Sequence, residues 1–255
     1  MSEIYDRFAQ VYARGTYSNF TRWILEKIPA LLDNFALPKT GRLLDLACGE
    51  GTFLAGMAAN GWQISGVDLS PAMLSIASQK FSTAAAPPCL IHGDMRELHF
   101  ENEFDLVTCW YDSLNYVLKL SEVNAVFAGV YRALKPGGAF VFDMNTIYGL
   151  TVQWQRDPAY IIQENSDLIE IHIPSCNYDQ QMASLRILVF TRREGDDHWE
   201  RFEEIHVERG YPVEVLQTSL QECGFNLLAS IGNLNDLSQP TATTPRVWFI
   251  AQKAV

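Results

Sequence analysis

Residues Leu43–Leu54 read LLDLACGEGTFL, and this stretch decides the fold. The apolar run Leu43-Leu44-Asp45-Leu46-Ala47 predicts a short buried strand, and the Gly-x-Gly at Gly49 and Gly51 predicts a tight turn. Small apolar residues from Thr52 onward suit the opening of a helix. Strand, glycine turn and helix in that order form the unit by which α/β proteins lay a nucleotide against backbone amides. A dinucleotide fingerprint would carry a third glycine at position 54, where this chain has Leu54. With that glycine missing and an acid downstream at Asp68, the turn suits an adenosine ligand without a pyrophosphate. S-adenosylmethionine is the obvious candidate.

Outward from the turn, strand and helix alternate. Upstream, helical spacing covers Ser2–Ala13 and about Asn19–Phe35, so two helices precede the turn and can fold back over it. Downstream, Trp62–Val67 reads as a second strand closing on Asp68, and Ser70-Pro71 as a capped helix start. Cys89–His92, Phe104–Trp110 and Ala139–Asn145 follow as strands, with a helix over Ser121–Leu134. Short connections of this kind predict a doubly wound parallel sheet. From about Ala159 to Tyr211 the period changes to two, giving strands at Tyr160–Asn165, Leu168–Ile173, Met182–Arg192 and His198–Arg209. Asn177-Tyr178-Asp179 and Glu194-Gly195-Asp196-Asp197 are the turns. A helix over Pro212–Glu222 leads to a last antiparallel pair, Phe225–Ile231 and Arg246–Lys253.

Composition bounds the function. The 255 residues carry a net charge of −11 with no Lys/Arg run, which disfavours a nucleic-acid partner and is compatible with amine substrates. Five scattered cysteines without a C-x-x-C spacing predict neither a disulfide framework nor a metal site. The polar start MSEIYDRFAQVY is not a signal peptide, and no apolar run approaches a membrane span, so the expected compartment is cytoplasmic.

Three successive strand ends carry polar groups where open α/β sheets bind ligands. The first gives Gly49 and Gly51 for close backbone approach, and the second gives Asp68 for the ribose hydroxyls. The third gives Asp94 for an adenine amino group, beside Met95 to pack on the ring. Each acid alone could merely cap a helix; the series points to adenosine. Trp110–Tyr116, WYDSLNY, follows the fourth strand with hydrogen-bonding tips on Tyr111, Asp112, Asn115 and Tyr116. In Arg201–Tyr211, RFEEIHVERGY, alternation puts Phe202, Glu204, His206 and Glu208 on one face, either solvated or lining a wet cavity. Ile205 and Val207 are expected to pack on the other face.

The blocks LLDLACGEG, GVDLSPAML, GDMREL, FDLVTCW and ALKPGGAFVFD resemble the successive motifs of class I S-adenosylmethionine-dependent methyltransferases. The resemblance implies a Rossmann-like seven-stranded α/β sheet with an N-terminal helical lid (1–37) and a cofactor domain (38–150 and 212–255). It also implies an antiparallel β-sheet inserted after strand 5 (151–211), over the acceptor site. It places Ala47–Gly51 and the backbone near Cys109 beside the methionine part, Asp68 on the ribose, and Leu69 and Met73 near the adenine, with Asp94-Met95 at its edge. YDRFAQVYA resembles the lid segment of the small-molecule branch, with Tyr12 at its second tyrosine and Ala13 where an Asp is usual. Tyr12 and Trp23 are the lid's candidate cofactor contacts.

The insertion resembles that of glycine N-methyltransferases and sugar-amine N,N-dimethyltransferases. The expected activity is therefore methyl transfer to a small polar acceptor, an amine before a hydroxyl or carboxylate. His206 is the candidate base, with Tyr111 and Asp112 as further catalytic candidates. The alternatives are a non-catalytic S-adenosylmethionine-binding protein, a tRNA methyltransferase acting with a partner, and a nucleotide-dependent oxidoreductase. Monomer and homodimer are both compatible with edge strands in the insertion.

Overall fold

β1 (Arg42–Leu46) is apolar on both faces because both are covered, the usual condition of a central parallel strand. A computed structural model describes residues 4–192 and 197–254. In it, β1 and four further strands run parallel: β2 (Gln63–Asp68), β3 (Cys89–His92), β4 (Phe104–Cys109) and β5 (Leu134–Asn145). A separate antiparallel sheet follows in simple order: β6 (Tyr160–Glu164), β7 (Leu168–Asn177), β8 (Met182–Arg192) and β9 (Trp199–Arg209). The chain then returns as β10 (Phe225–Ile231) and β11 (Arg246–Lys253), with β11 antiparallel to both β5 and β10. The main sheet has the order β10-β11-β5-β4-β1-β2-β3.

Side-chain alternation along these strands feeds two cores. Leu44 and Leu46 join Val107, Phe140 and Phe142 on one face, covered by α5 (Leu120–Ala133) and α6 (Val213–Glu222). Leu43 joins Ile64, Leu106 and Val141 on the other, covered by α2 (Ser18–Asn34) and α3 (Thr52–Ala59). The helix α4 (Pro71–Lys80) starts as Ser70-Pro71 predicts, with the Ser70 hydroxyl accepting the Met73 N–H at 3.1 Å. A third apolar cluster joins the first helix α1 (Phe8–Arg14) to the inserted sheet, through Phe8, Val11, Leu185, Ile187 and Val189.

Two local expectations change. The first helix begins at Phe8 rather than near Ser2, because Tyr5 takes a left-handed backbone (φ 60°) that a helix does not admit. Between β5 and β6, where no element is expected, Gly149–Gln153 makes a wide π-helical turn and Trp154–Arg156 a tight 3-10 turn. Residues 194–196 of the expected turn before β9 lie outside the described residues. Among the described residues, no helix is long and apolar enough to cross a membrane.

Candidate active site

Five parallel strands bring their carboxyl ends to one edge, and a cavity of about 720 Å³ opens there. Its floor is the glycine turn. Ala47 (φ 52°), Gly49 (φ 52°) and Gly51 (φ 81°) all take left-handed backbone, folding the chain sharply between β1 and α3. A side-chain carbon at Gly49 would meet nothing within 4 Å, so glycine serves its conformation there. At Gly51 the same atom would stand 3.0 Å from the Phe81 ring, so glycine also serves packing.

Asp68, at the end of β2, organises this turn. Its Oδ2 accepts the Gly49 N–H at 2.7 Å and its Oδ1 accepts the Ser70 N–H at 2.8 Å. Burial pushes its pKa up, while these hydrogen bonds pull the other way. An open backbone cradle with a lining carboxylate at the next strand end fits the methionine and ribose parts of an adenosyl ligand. Asp94 and Met95 line the cavity at the end of β3, and the Arg96 side chain holds the Asp94 carboxyl below the usual range. We expect Asp68→Ala to weaken S-adenosylhomocysteine binding by about 2 kcal/mol, through lost charge-assisted hydrogen bonds and a slackened turn. Calorimetry measures this, and unchanged affinity would reduce Asp68 to a loop residue.

The lid closes the opposite side. Tyr5 spans the mouth: its N–H donates to Glu204 Oε2 of β9 at 2.8 Å, and its carbonyl accepts from the Ser70 hydroxyl at 2.8 Å. Glu204 Oε1 also accepts the Phe8 N–H at 3.0 Å, so a carboxylate from the inserted sheet caps α1. Burial pushes the Glu204 pKa up, but the His206 imidazole and the Phe8 and Tyr5 N–H groups together hold it below the usual range. Beyond α1, the Tyr17 hydroxyl bonds Glu170 and lies 3.2 Å from His172 Nε2, itself 2.6 Å from Glu170. The tripeptide Glu-Ile-His thus occurs twice, on β7 and β9, and pins the lid on both sides of α1. Glu204→Gln leaves a single oxygen for two backbone donors. Amide exchange at Tyr5 and Phe8 should accelerate about tenfold, with unchanged exchange as the contrary result.

These contacts correct the expectation for β9. Its Glu204–His206–Glu208 face is neither solvated nor a cavity wall; it is buried, with Glu204 and His206 under the lid and Glu208 accepting from Asn145 at the end of β5. Ile205 and Val207, expected to pack, line the cavity instead. His206 stands one layer back, its Nδ1 2.8 Å from the Tyr116 hydroxyl and its Nε2 3.3 Å from Glu204. Tyr116 lines the cavity, 3.3 Å from the Tyr5 hydroxyl.

Asp112 is also displaced from its expected place at the wall. Tyr111 and Asp112 are consecutive left-handed residues (φ 59° and 54°), and both donate their N–H to Asp143, at 2.7 and 3.1 Å. That turn aims the Tyr111 ring into the cavity wall and the Asp112 carboxylate away from it, onto Arg246 at 2.9 Å. Arg246 also bonds Asp143 and lies over the rings of Phe20 and Tyr111, which stack at 4.5 Å. Burial pushes the Asp112 pKa up to about 6, with Arg246 pulling it down.

The structure gathers Tyr12, Ala47, Gly49, Asp68, Leu69, Met73, Asp94, Met95 and Tyr111 around one cavity. Gly51 belongs to the same turn but does not line the cavity. Two further candidates lie elsewhere. Trp23 packs on Trp248 and Phe20, because its position on α2 faces the sheet rather than the turn. Cys109 is buried inside β4 between Leu46 and Phe142, and the following Trp110 takes its place at the wall. Sequence reasoning passed over Tyr5, Glu170, His172 and Arg246; the repeated Glu-Ile-His was the one available signal. A smaller cavity of about 510 Å³, lined by Thr146, Gln217 and Thr241, shares none of the expected site residues.

Comparison with known proteins agrees with this geometry. A family model described as a methyltransferase domain matches residues 43–138. The YqeM protein of Bacillus subtilis, which carries a methyltransferase name, is 33% identical over 98% of this chain and 98% of its own. A solved S-adenosylmethionine-dependent methyltransferase from Clostridium acetobutylicum superposes with a TM-score of 0.80 at 28% identity, covering 99% of this chain and 100% of its own. A dTDP-3-amino-3,6-dideoxy-glucopyranose N,N-dimethyltransferase of Streptomyces fradiae is 33% identical over 42% of this chain and 40% of its own. The chain belongs to the class I S-adenosylmethionine-dependent methyltransferases. It is an enzyme of that class, with S-adenosylmethionine as its cofactor.

Proposed function

We propose that the enzyme methylates the amine nitrogen of a small-molecule acceptor held between the lid and the inserted sheet. The observation that carries this reading is one continuous cavity joining the glycine turn to Tyr12, Tyr111 and Tyr116. When bound, S-adenosylmethionine supplies an electrophilic methyl group for in-line attack by an unprotonated nitrogen.

The chain's own contribution is first positioning. Aromatic rings from the lid and from the turn after β4 enclose the acceptor end, and their faces attract a cationic amine. The net charge of −11 draws such a molecule in. Asp112 acts at one remove, steadying Tyr111 through Arg246.

The second contribution is a path for the proton. Tyr116 is the group at the wall; burial raises its pKa, so its phenol enters the path neutral. As the ammonium N–H bond breaks, its proton passes to the Tyr116 oxygen while the phenolic proton moves to His206 Nδ1. Nε2–H of the resulting imidazolium faces Glu204, which stabilises the charge. The test is incubation of the full chain with S-adenosylmethionine and a set of primary and secondary amines, following S-adenosylhomocysteine release and locating the added methyl by mass spectrometry. Cofactor binding without transfer to any amine in the set would sink the reading.

A further inference from the structure

The Glu170 carboxylate of β7 is fully buried, and three side chains converge on it. The Tyr17 hydroxyl, just before α2, donates to its Oε1. His172 Nε2 stands 2.6 Å from the same oxygen and 3.2 Å from the Tyr17 oxygen. Gln163 Nε2 of β6 donates to Oε2 at 2.6 Å. Gly15, between α1 and α2, leaves room for this arm: a side-chain carbon there would stand 2.8 Å from Gln163 Nε2. Burial and the Glu170 charge push the Tyr17 phenol up, so it remains a neutral donor. Filling a core does not require such a cluster, because a buried carboxylate is costly and is weak evidence of added stability. What it fixes is the plane of one ring.

Held at its hydroxyl, the Tyr17 ring stacks on Tyr12, with centroids 4.5 Å apart and planes 12° from parallel. Phe8 meets Tyr17 edge-on at 5.7 Å, and Tyr5 meets Tyr12 edge-on at 5.7 Å. Tyr12 lines the cavity and Tyr17 does not. No hydrogen bond from the Tyr12 hydroxyl to a described residue fixes that ring from its own tip, so its neighbours set its plane. A stacked pair of this kind is worth about 1 kcal/mol beyond its burial, and only in a narrow range of geometries. The ring behind Tyr12 is therefore the part that must be held still.

We infer that Tyr17 is a positioning residue for methyl transfer: Glu170 and His172 of the inserted sheet hold its hydroxyl, and its ring holds Tyr12 in the wall that meets the bound cofactor. The inserted sheet thereby acts on cofactor retention through two tyrosine rings, without a side chain of β7 lining the cavity. The inference rests on S-adenosylmethionine occupying this cavity and is independent of which acceptor is methylated.

The experiment is a double-mutant cycle in the full chain, with S-adenosylhomocysteine affinity read by calorimetry and stability by urea unfolding. Tyr12→Leu and Tyr17→Leu should each weaken binding about five- to tenfold, and the pair should bind within about two-fold of Tyr12→Leu alone. Stability should fall at both steps, so affinity and stability part company. Tyr17→Phe keeps the ring and removes its anchor; it should weaken binding several-fold, and it completes the same cycle if Tyr17→Leu does not fold. Multiplicative losses of affinity across the pair overturn the inference. So does a Tyr17→Phe variant that loses stability while binding as the unaltered chain does, since Tyr17 would then only pin the lid. A Tyr12→Leu variant with unchanged affinity overturns it as well. Failure to methylate any amine sinks the N-methylation reading and leaves this cycle untouched.

Discussion

Arg246→Leu is expected to lower the free energy of unfolding by about 3–5 kcal/mol, because it strips two buried carboxylates of their cation. Asp143 is fully buried and already accepts the Tyr111 and Asp112 N–H groups, and Asp112 is nearly as enclosed. Urea unfolding measures the loss, and its pH dependence has a definite sign. Burial already pushes Asp112 up to about 6, and removing Arg246 raises it further. The native state then holds a proton that the unfolded state has released, so native stability falls as pH rises through that window. The deficit should be larger at pH 8 than at pH 5.5. Arg246→Lys restores the charge but not the planar group over Phe20 and Tyr111, and should recover only part of the loss. A pH-independent deficit below about 1 kcal/mol would show that the cluster is not electrostatically coupled.

Tyr116→Phe removes one oxygen from the proposed proton path and should lower kcat about 100-fold, with S-adenosylhomocysteine affinity changed by no more than about two-fold. The phenol is also hydrogen-bonded in the ground state, so a modest loss of stability accompanies it. His206→Asn should lower kcat to a similar degree. The double variant should fall little further, because groups that act as a unit are not additive. The pH–rate profile separates this from a structural role: with the relay gone, the rising limb should follow the free amine's own titration. Additive losses, or equal losses in kcat and cofactor affinity, would leave the Tyr116–His206 contact structural.

The cofactor half of this enzyme was legible in the sequence because its information is local. A strand, a Gly-x-Gly turn and a helix lie within Leu43–Leu54, and the acids at Asp68 and Asp94 each end a strand that can be recognised alone. The inserted strands were legible for the same reason, since period-two alternation and turns bracket each of them; β8 spans the expected Met182–Arg192. Alternation, however, defines two faces of β9 without saying which one the protein covers.

That choice is tertiary. Apolar Leu185, Ile187 and Val189 of β8 share a sheet face with Glu204 and His206, and α1 comes down on that face with Phe8 and Val11. The buried acids are tolerated because Tyr5 and Phe8, some two hundred residues earlier, bring backbone N–H groups that satisfy Glu204. The same docking leaves Ile205 and Val207 facing the cavity, which inverts the polarity expected of that strand. The chain by itself determined the glycine turn and the acids at the strand ends; the packing of the lid on the inserted sheet decided what the other half of the cavity presents, because a buried polar group is acceptable only where distant partners arrive to pair it.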